Sequence, residues 1–217
     1  MRLLRLARLG GLLGIVALAL SGCALLNQPP VANFTWAPLE PLARNEIAFT
    51  DLSTDSGGPF GGGGVVSWNW NFGDTDSSTS PSPKHTYDKS GSYTVRLTVT
   101  DGSGETATVS KTVTVTASVG GTWRGYIDDG SGFLNDMELV FTHSASGGIQ
   151  GTAYMLGAAL SCSSISFDPT GKRIQFQLID LGIRLDGTLD ASETRIIGLW
   201  YILGAPFAGW SWDVTRQ

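Results

Sequence analysis

Gly91-Ser92-Tyr93-Thr94-Val95-Arg96-Leu97-Thr98-Val99-Thr100-Asp101 is the stretch on which the fold turns. Tyr93, Val95, Leu97 and Val99 fall on one side of an extended chain, and Thr94, Arg96, Thr98 and Thr100 on the other. That two-residue period belongs to a strand with one face in a core and one in water. The same alternation recurs around it. Val31 to Trp36 and Glu46 to Thr50 read as strands; Val66, Trp68, Trp70 and Phe72 line up opposite Asn69 and Asn71; Val109, Val113 and Val115 close the set. Two facing sheets with such inner rows bury a core at about 25 cal/mol per Å2 of apolar surface.

The chain has 217 residues, 29 of them glycine and only 15% charged, and no segment beyond its N-terminal leader keeps a helical period. An all-β protein is expected. At Ala117-Ser118-Val119-Gly120-Gly121 the composition shifts from Thr- and Val-rich strands to Leu-, Ile- and Gly-rich ones, which divides the chain into domains at 30–116 and 120–217. The second domain reads as eight strands: Thr122 to Asp128, Asp136 to Thr142, Gly148 to Met155, Ser161 to Asp168, Lys172 to Ile179, Ile183 to Asp190, Arg195 to Ile202 and Phe207 to Val214. Short links such as Asp168-Pro169-Thr170-Gly171 are hairpin chemistry. An eight-stranded antiparallel meander closes most simply into a small barrel, which removes its edge strands and either holds a small ligand or is filled by its own side chains.

Four motifs of the first domain, in order, are Pro30-Val31-Ala32-Asn33-Phe34, Trp68-Asn69-Trp70-Asn71-Phe72-Gly73-Asp74, His85-Thr86-Tyr87 and the stretch from Gly91 to Asp101. Together they resemble a PKD domain over residues 30–116. The resemblance implies an immunoglobulin-like β-sandwich that acts as a spacer or as a protein or carbohydrate interaction module, not as a catalyst. The chain departs from the usual Gly-Asp-Gly turn, reading Gly73-Asp74-Thr75-Asp76, and carries a glycine-rich insertion from Gly57 to Gly64. With no Gly-Lys-Ser/Thr ending and no following helix, that insertion reads as a loop and not a phosphate cradle. The second domain has only a weak resemblance of pattern, through Gly121-Thr122-Trp123-Arg124-Gly125, Gly151-Thr152 and Gly187-Thr188, to lipocalin-like or avidin-like barrels.

At the N-terminus, Arg2, Arg5 and Arg8 precede an aliphatic run from Leu9 to Leu20 that ends in Leu20-Ser21-Gly22-Cys23. This resembles the bacterial lipoprotein signal. The resemblance implies cleavage of residues 1–22, a lipidated Cys23, and a short tether over 23–29 that holds the protein close to a membrane of the cell envelope. Ala24 favours the outer membrane where the host has two, with the globular part periplasmic or extracellular. A spanning helix fits less well, since Ser21, Gly22 and two further glycines interrupt the roughly 20 apolar residues a span needs. Two acyl chains, at about 0.8 kcal/mol per buried CH2, anchor a protein stably.

Charge excludes one class of partner. The whole chain carries −5, and the leader holds three of its fourteen cations, so the mature chain is more acidic still. Nucleic-acid binding rests on phosphate neutralisation by a basic face, and none is present. Nor is there a Gly-x-Ser-x-Gly, His-Glu-x-x-His or Cys-x-x-Cys motif, and the acidic hairpin Asp128, Asp129, Asp136 and Glu138 reads as solvated, so no enzyme is expected. Cys162, alone once Cys23 is lipidated, reads as a small buried hydrophobe.

Two candidate sites remain. Some PKD domains bind calcium with loop side chains at one end of the sandwich, and matching loops by position points to Asn45, Asp55 and Asp101, against the plainer reading of solvated turn residues. In the second domain Trp123, Trp200, Trp210 and Trp212 either fill a barrel or present a recognition surface for a small ligand or partner. The function expected is that of a membrane-anchored binding lipoprotein. The alternatives are a purely structural envelope protein with a plugged barrel and a hydrolase accessory protein.

Overall fold

The computed structural model describes residues 28–57, 63–128, 130–132, 134–144, 148–204 and 209–217. The expected signal segment 1–22, Cys23, most of the expected tether, and residues 58–62 of the glycine-rich insertion lie outside these. The chain forms two compact units: residues up to Leu39 with Glu46–Thr86 and Ser92–Val113, and Glu40–Asn45 with Tyr87–Gly91 and Thr114–Gln217. The architecture is all-β, and the one helical turn among the described residues is Ile179–Leu181.

The sandwich strands are β1 (Phe34–Ala37), β2 (Glu46–Asp51), β3 (Val65–Asn71), β4 (Ser77–Ser78), β5 (Lys84–Thr86), β6 (Gly91–Asp101) and β7 (Thr106–Val115). They make a three-stranded sheet, β1-β2-β5, and a four-stranded sheet, β4-β3-β6-β7. Phe34, Ile47 and Phe49 from the first meet Trp70, Leu97 and Val99 from the second, all buried. Rings interlock there: Phe34 stands edge-on to Trp70 at 5.2 Å, and Phe49 lies 5.3 Å from Phe72. The inner row expected of β6 is buried from Val95 to Val99 and ends, unexpectedly, in a buried carboxylate at Asp101.

β3 departs from the expected face. Trp70 and Phe72 are buried, but Val66 is 59% exposed. A bulge is the cause: β3 pairs with β6 as Val65 to Asp101 and then Ser67 to Thr100, so one extra residue shifts the phase and turns Val66 out. The turn after β3 requires glycine. Gly73 sits at φ 82°, and a Cβ there would lie 2.7 Å from the Thr94 carbonyl oxygen of β6.

The barrel strands are β8 (Gly121–Asp128), β9 (Leu134–His143), β10 (Ile149–Met155), β11 (Ala158–Asp168), β12 (Arg173–Leu178), β13 (Ile183–Leu189), β14 (Arg195–Ile202) and β15 (Trp210–Arg216). Each pairs antiparallel with its sequence neighbour, and β15 returns to β8 to close the barrel. All eight strands read from the sequence are present, with ends shifted by up to three residues.

The barrel interior is filled. Phe141, Phe176 and Trp212 form successive edge-to-face contacts at 5.4 and 5.9 Å, with Leu139, Leu185 and Val214 in the same buried cluster. Glycines make room for these rings. Gly187 and Gly198 face each other across β13 and β14, and a Cβ on either would come within 2.4 Å of the Trp212 side chain. Gly151 does the same for Phe141. The Gly-Thr steps seen in the sequence are therefore packing devices, small residues set against large rings.

Candidate functional site

The four barrel tryptophans separate into two pairs. Trp123 and Trp212 are fully buried. The Trp123 indole N–H donates to the Val119 carbonyl at 2.8 Å under the Arg216 guanidinium, which sits 4.1 Å from the ring centre; Trp212 donates to the Asp186 carbonyl at 3.1 Å. Both rings have all their polar capacity satisfied inside the fold.

Trp200 and Trp210 are different. They are directly opposed across β14 and β15, their rings 4.5 Å apart and tilted by 30°. On their strands they stand two or four residues from buried Ile196, Trp212 and Val214, so they share the inward face, at the last rung before one mouth of the barrel. The Trp200 N–H donates to the Asp128 carbonyl at 2.6 Å, and both rings stay half-buried.

Strand alternation gathers the β8–β9, β10–β11, β12–β13 and β14–β15 connections at this same mouth. Leu134, Leu156, Ile179, Leu181, Ile202 and Leu203 lie in or beside them, and all are exposed, Leu156 to 83%. This rim is not legible in strand alternation, because it lies in the turns. Apolar side chains where hairpin tips ordinarily carry polar ones were the available signal.

The calcium candidates are only partly brought together. Asp55 accepts backbone N–H groups from Gly57 at 3.2 Å and Gly64 at 2.9 Å, which places it beside the Val65–Asp101 rung. Asp101 is buried, its Oδ1 accepting from the Ser103 N–H and hydroxyl and from the Glu105 N–H. Burial pushes its carboxyl up, but those hydrogen bonds outweigh it and hold the group below the ordinary value. Its Oδ2 is buried with no hydrogen-bond partner among the described residues. Asn45 is elsewhere. It belongs to the second unit, whereas Asp55 and Asp101 belong to the first.

A different group of donors converges in the first unit. One ligand atom from each of Asp74, Asp76 and His85 lies within 4.8 Å of the others. The reading of the sequence assigned these residues to turn and sandwich architecture alone.

Two further arrangements look chemical and are structural. Ser118 Oγ lies 3.0 Å from His143 Nε2, the reach of a nucleophile and its base, but Ser118 is buried and its oxygen accepts the Gly120 N–H. Burial, with Arg216 nearby, also pushes the His143 imidazole below its usual value. Cys162 packs against the barrel core, and burial raises its thiol to about 12, which removes the thiolate on which reactivity depends. Of the acidic hairpin, Asp129 lies outside the described residues, and Glu138 pairs with Arg124 across β8 and β9.

No curated protein matches the chain. Among solved structures, the PKD1 domain of Vibrio anguillarum Epp is 37% identical, covering 41% of this chain and 95% of that one, with a TM-score of 0.35. The PKD1 domain of the Vibrio cholerae metalloprotease PrtV is 38% identical over 41% of this chain and 98% of that one, also with a TM-score of 0.35. A structure described as concerning carbohydrate-binding modules of the β-sandwich superfamily aligns over 88% of this chain and 93% of its own, at 18% identity and a TM-score of 0.38, a likeness too slight to carry an argument. The PKD domain profile matches residues 27–117. On that match, residues 27–117 are a PKD domain.

Proposed function

We propose that this chain is a lipid-anchored binding protein of the bacterial envelope, with the PKD domain as spacer or interaction module and the barrel as the ligand-recognising domain. The observation that carries the reading is the Trp200–Trp210 pair at a mouth rimmed by exposed aliphatic side chains, above an interior already filled. Recognition then occurs across the mouth and not in a cavity. Paired indoles stack on flat apolar faces, and a polysaccharide offers such faces on its sugar rings. The PKD family is one of non-catalytic modules, and that supports an interaction role for residues 27–117.

Calcium belongs to the same reading. Asp101, with its unpartnered Oδ2, and Asp55 are the residues that would hold the ion, and its role would be to fix the loops at that end of the sandwich.

Affinity electrophoresis of the purified full chain in gels containing soluble polysaccharides tests the recognition surface. The wild-type protein is expected to be retarded by at least one of them. Trp210→Ala should lose about 2 kcal/mol, as central aromatic anchors do, or roughly thirtyfold in Kd, with an unchanged melting curve. Equal retardation of the variant and the wild type would remove the indole pair from the site, and an unretarded wild type would remove the carbohydrate reading.

A further inference from the structure

The turn between β3 and β4 departs from Gly-Asp-Gly, and the departure brings in a second carboxylate, Asp76, two residues after Asp74. Opposite the turn stands His85, the middle residue of β5. The donors therefore come from both sheets of the sandwich, Asp74 and Asp76 from the end of the four-stranded sheet and His85 from an edge of the three-stranded one.

We propose that Asp74, Asp76 and His85 form a binding site for a first-row divalent cation, with Zn2+ as the representative ion. Their ligand atoms lie mutually within 4.8 Å, and His85 Nε2 is 2.8 Å from Asp74 Oδ2. At a metal–donor distance of ~2.1 Å, two donors 2.8 Å apart subtend about 84° at the metal, which is the angle between neighbouring ligands of an octahedron. Three protein donors, with water completing the shell, is the arrangement proposed. Asp74 and Asp76 are exposed, so water reaches the remaining positions.

The donors are already oriented. Asp74 Oδ1 accepts the Asp76 N–H at 2.9 Å, leaving Oδ2 toward the imidazole. The His85 ring lies flat on Phe72, with centroids 4.1 Å apart and planes within 6°. Neighbouring Lys84 is engaged by Glu46 at 2.7 Å. Two carboxylates and a neutral imidazole balance a divalent charge, and ligation at Nε2 replaces its hydrogen bond to Asp74 Oδ2. The imidazole sets the class of ion, since nitrogen donors suit zinc and its neighbours whereas calcium takes oxygen alone. Bound there, the ion would tie the two sheets together at their open edge.

Calorimetric titration of the chelator-treated full chain with ZnCl2, with CaCl2 in parallel, tests the site. Zn2+ should bind and raise the unfolding temperature. Asp76→Asn, a change at an exposed turn, should keep the metal-free melting temperature and weaken Zn2+ binding at least about tenfold, the scale on which even residues that only support a ligand act. Its Ca2+ response should equal that of the wild type, which separates this site from one at Asp55 and Asp101. Failure of Zn2+ to bind the wild type, or equal affinity in the variant, overturns the proposal. Paramagnetic broadening by Mn2+ in the wild type gives a second readout that needs no variant: it should concentrate on the amides of residues 73–77 and 84–86, and broadening centred elsewhere also overturns the proposal.

Discussion

Glu193 carries a charge with no exposure to water. It stands in the turn after β13 at φ 58°, a conformation non-glycine residues rarely adopt, and within the second unit it accepts from the Ser90 N–H at 3.0 Å, pairs with Lys172 at 2.9 Å and lies 3.7 Å from Arg44. Burial pushes its carboxyl up, yet the hydrogen bonds from Ser90 and Lys172 outweigh that and hold it below the ordinary value. A carboxylate depressed in the folded state contributes stability at every pH above its unfolded value, about 4.3, and loses that contribution as the pH falls from there through the folded value. Glu193→Gln should therefore cost on the order of 2 kcal/mol at pH 7, because Lys172 and Arg44 lose their counter-charge, and the gap from wild type should close below pH 4. Urea melts at pH 7, 5 and 3.5 check this, and parallel curves for the two proteins at all three would refute it. Nothing in Ala191-Ser192-Glu193-Thr194 announces a buried ion, because the partners at 44, 90 and 172 are distant in the chain and the segment alone reads as a polar turn.

At the scale of strands, the sequence was read most accurately where one side faces a core. Alternation in β6 gave the buried row directly, since a period of two admits only one assignment of faces. It failed at Val66, where a bulge changes phase without any marker in composition, and at β4 and β5, whose two and three residues are too short to show a period. The tryptophans show the other limit. Alternation places Trp200, Trp210 and Trp212 on the inward face, but only the height along the barrel tells a plug from a rim. Gly198 then ties neighbouring strands to that plug: a Cβ there would lie 2.0 Å from the Asp186 carbonyl and 2.3 Å from the Trp212 nitrogen. Gly198→Ala should displace the indole from its carbonyl partner and destabilise the barrel by about 3 kcal/mol, read as a lowered denaturation midpoint and altered near-ultraviolet dichroism from the tryptophans. An unchanged midpoint would mean that the strands part without cost.

For the molecule as a whole, composition marked all-β architecture and motif order marked the PKD domain, while the rim of the proposed recognition surface lies in turns where no pattern applies. The proposed address rests on Cys23, and its substitution is the direct test: Cys23→Ser should move the protein from the membrane fraction to the soluble fraction of the envelope and remove the mass of the acyl chains. Retention of the variant on membranes would mean that another segment holds it there. The closure of the barrel by β15 against β8 has a consequence in time. Seven of the eight pairings join neighbours in sequence and can form as the chain emerges, whereas the eighth waits for the far end and leaves β8 and β14 as open edges until then. Before β15 arrives those edges are open to pairing with other chains, so the speed of the final pairing sets how much protein folds rather than aggregates.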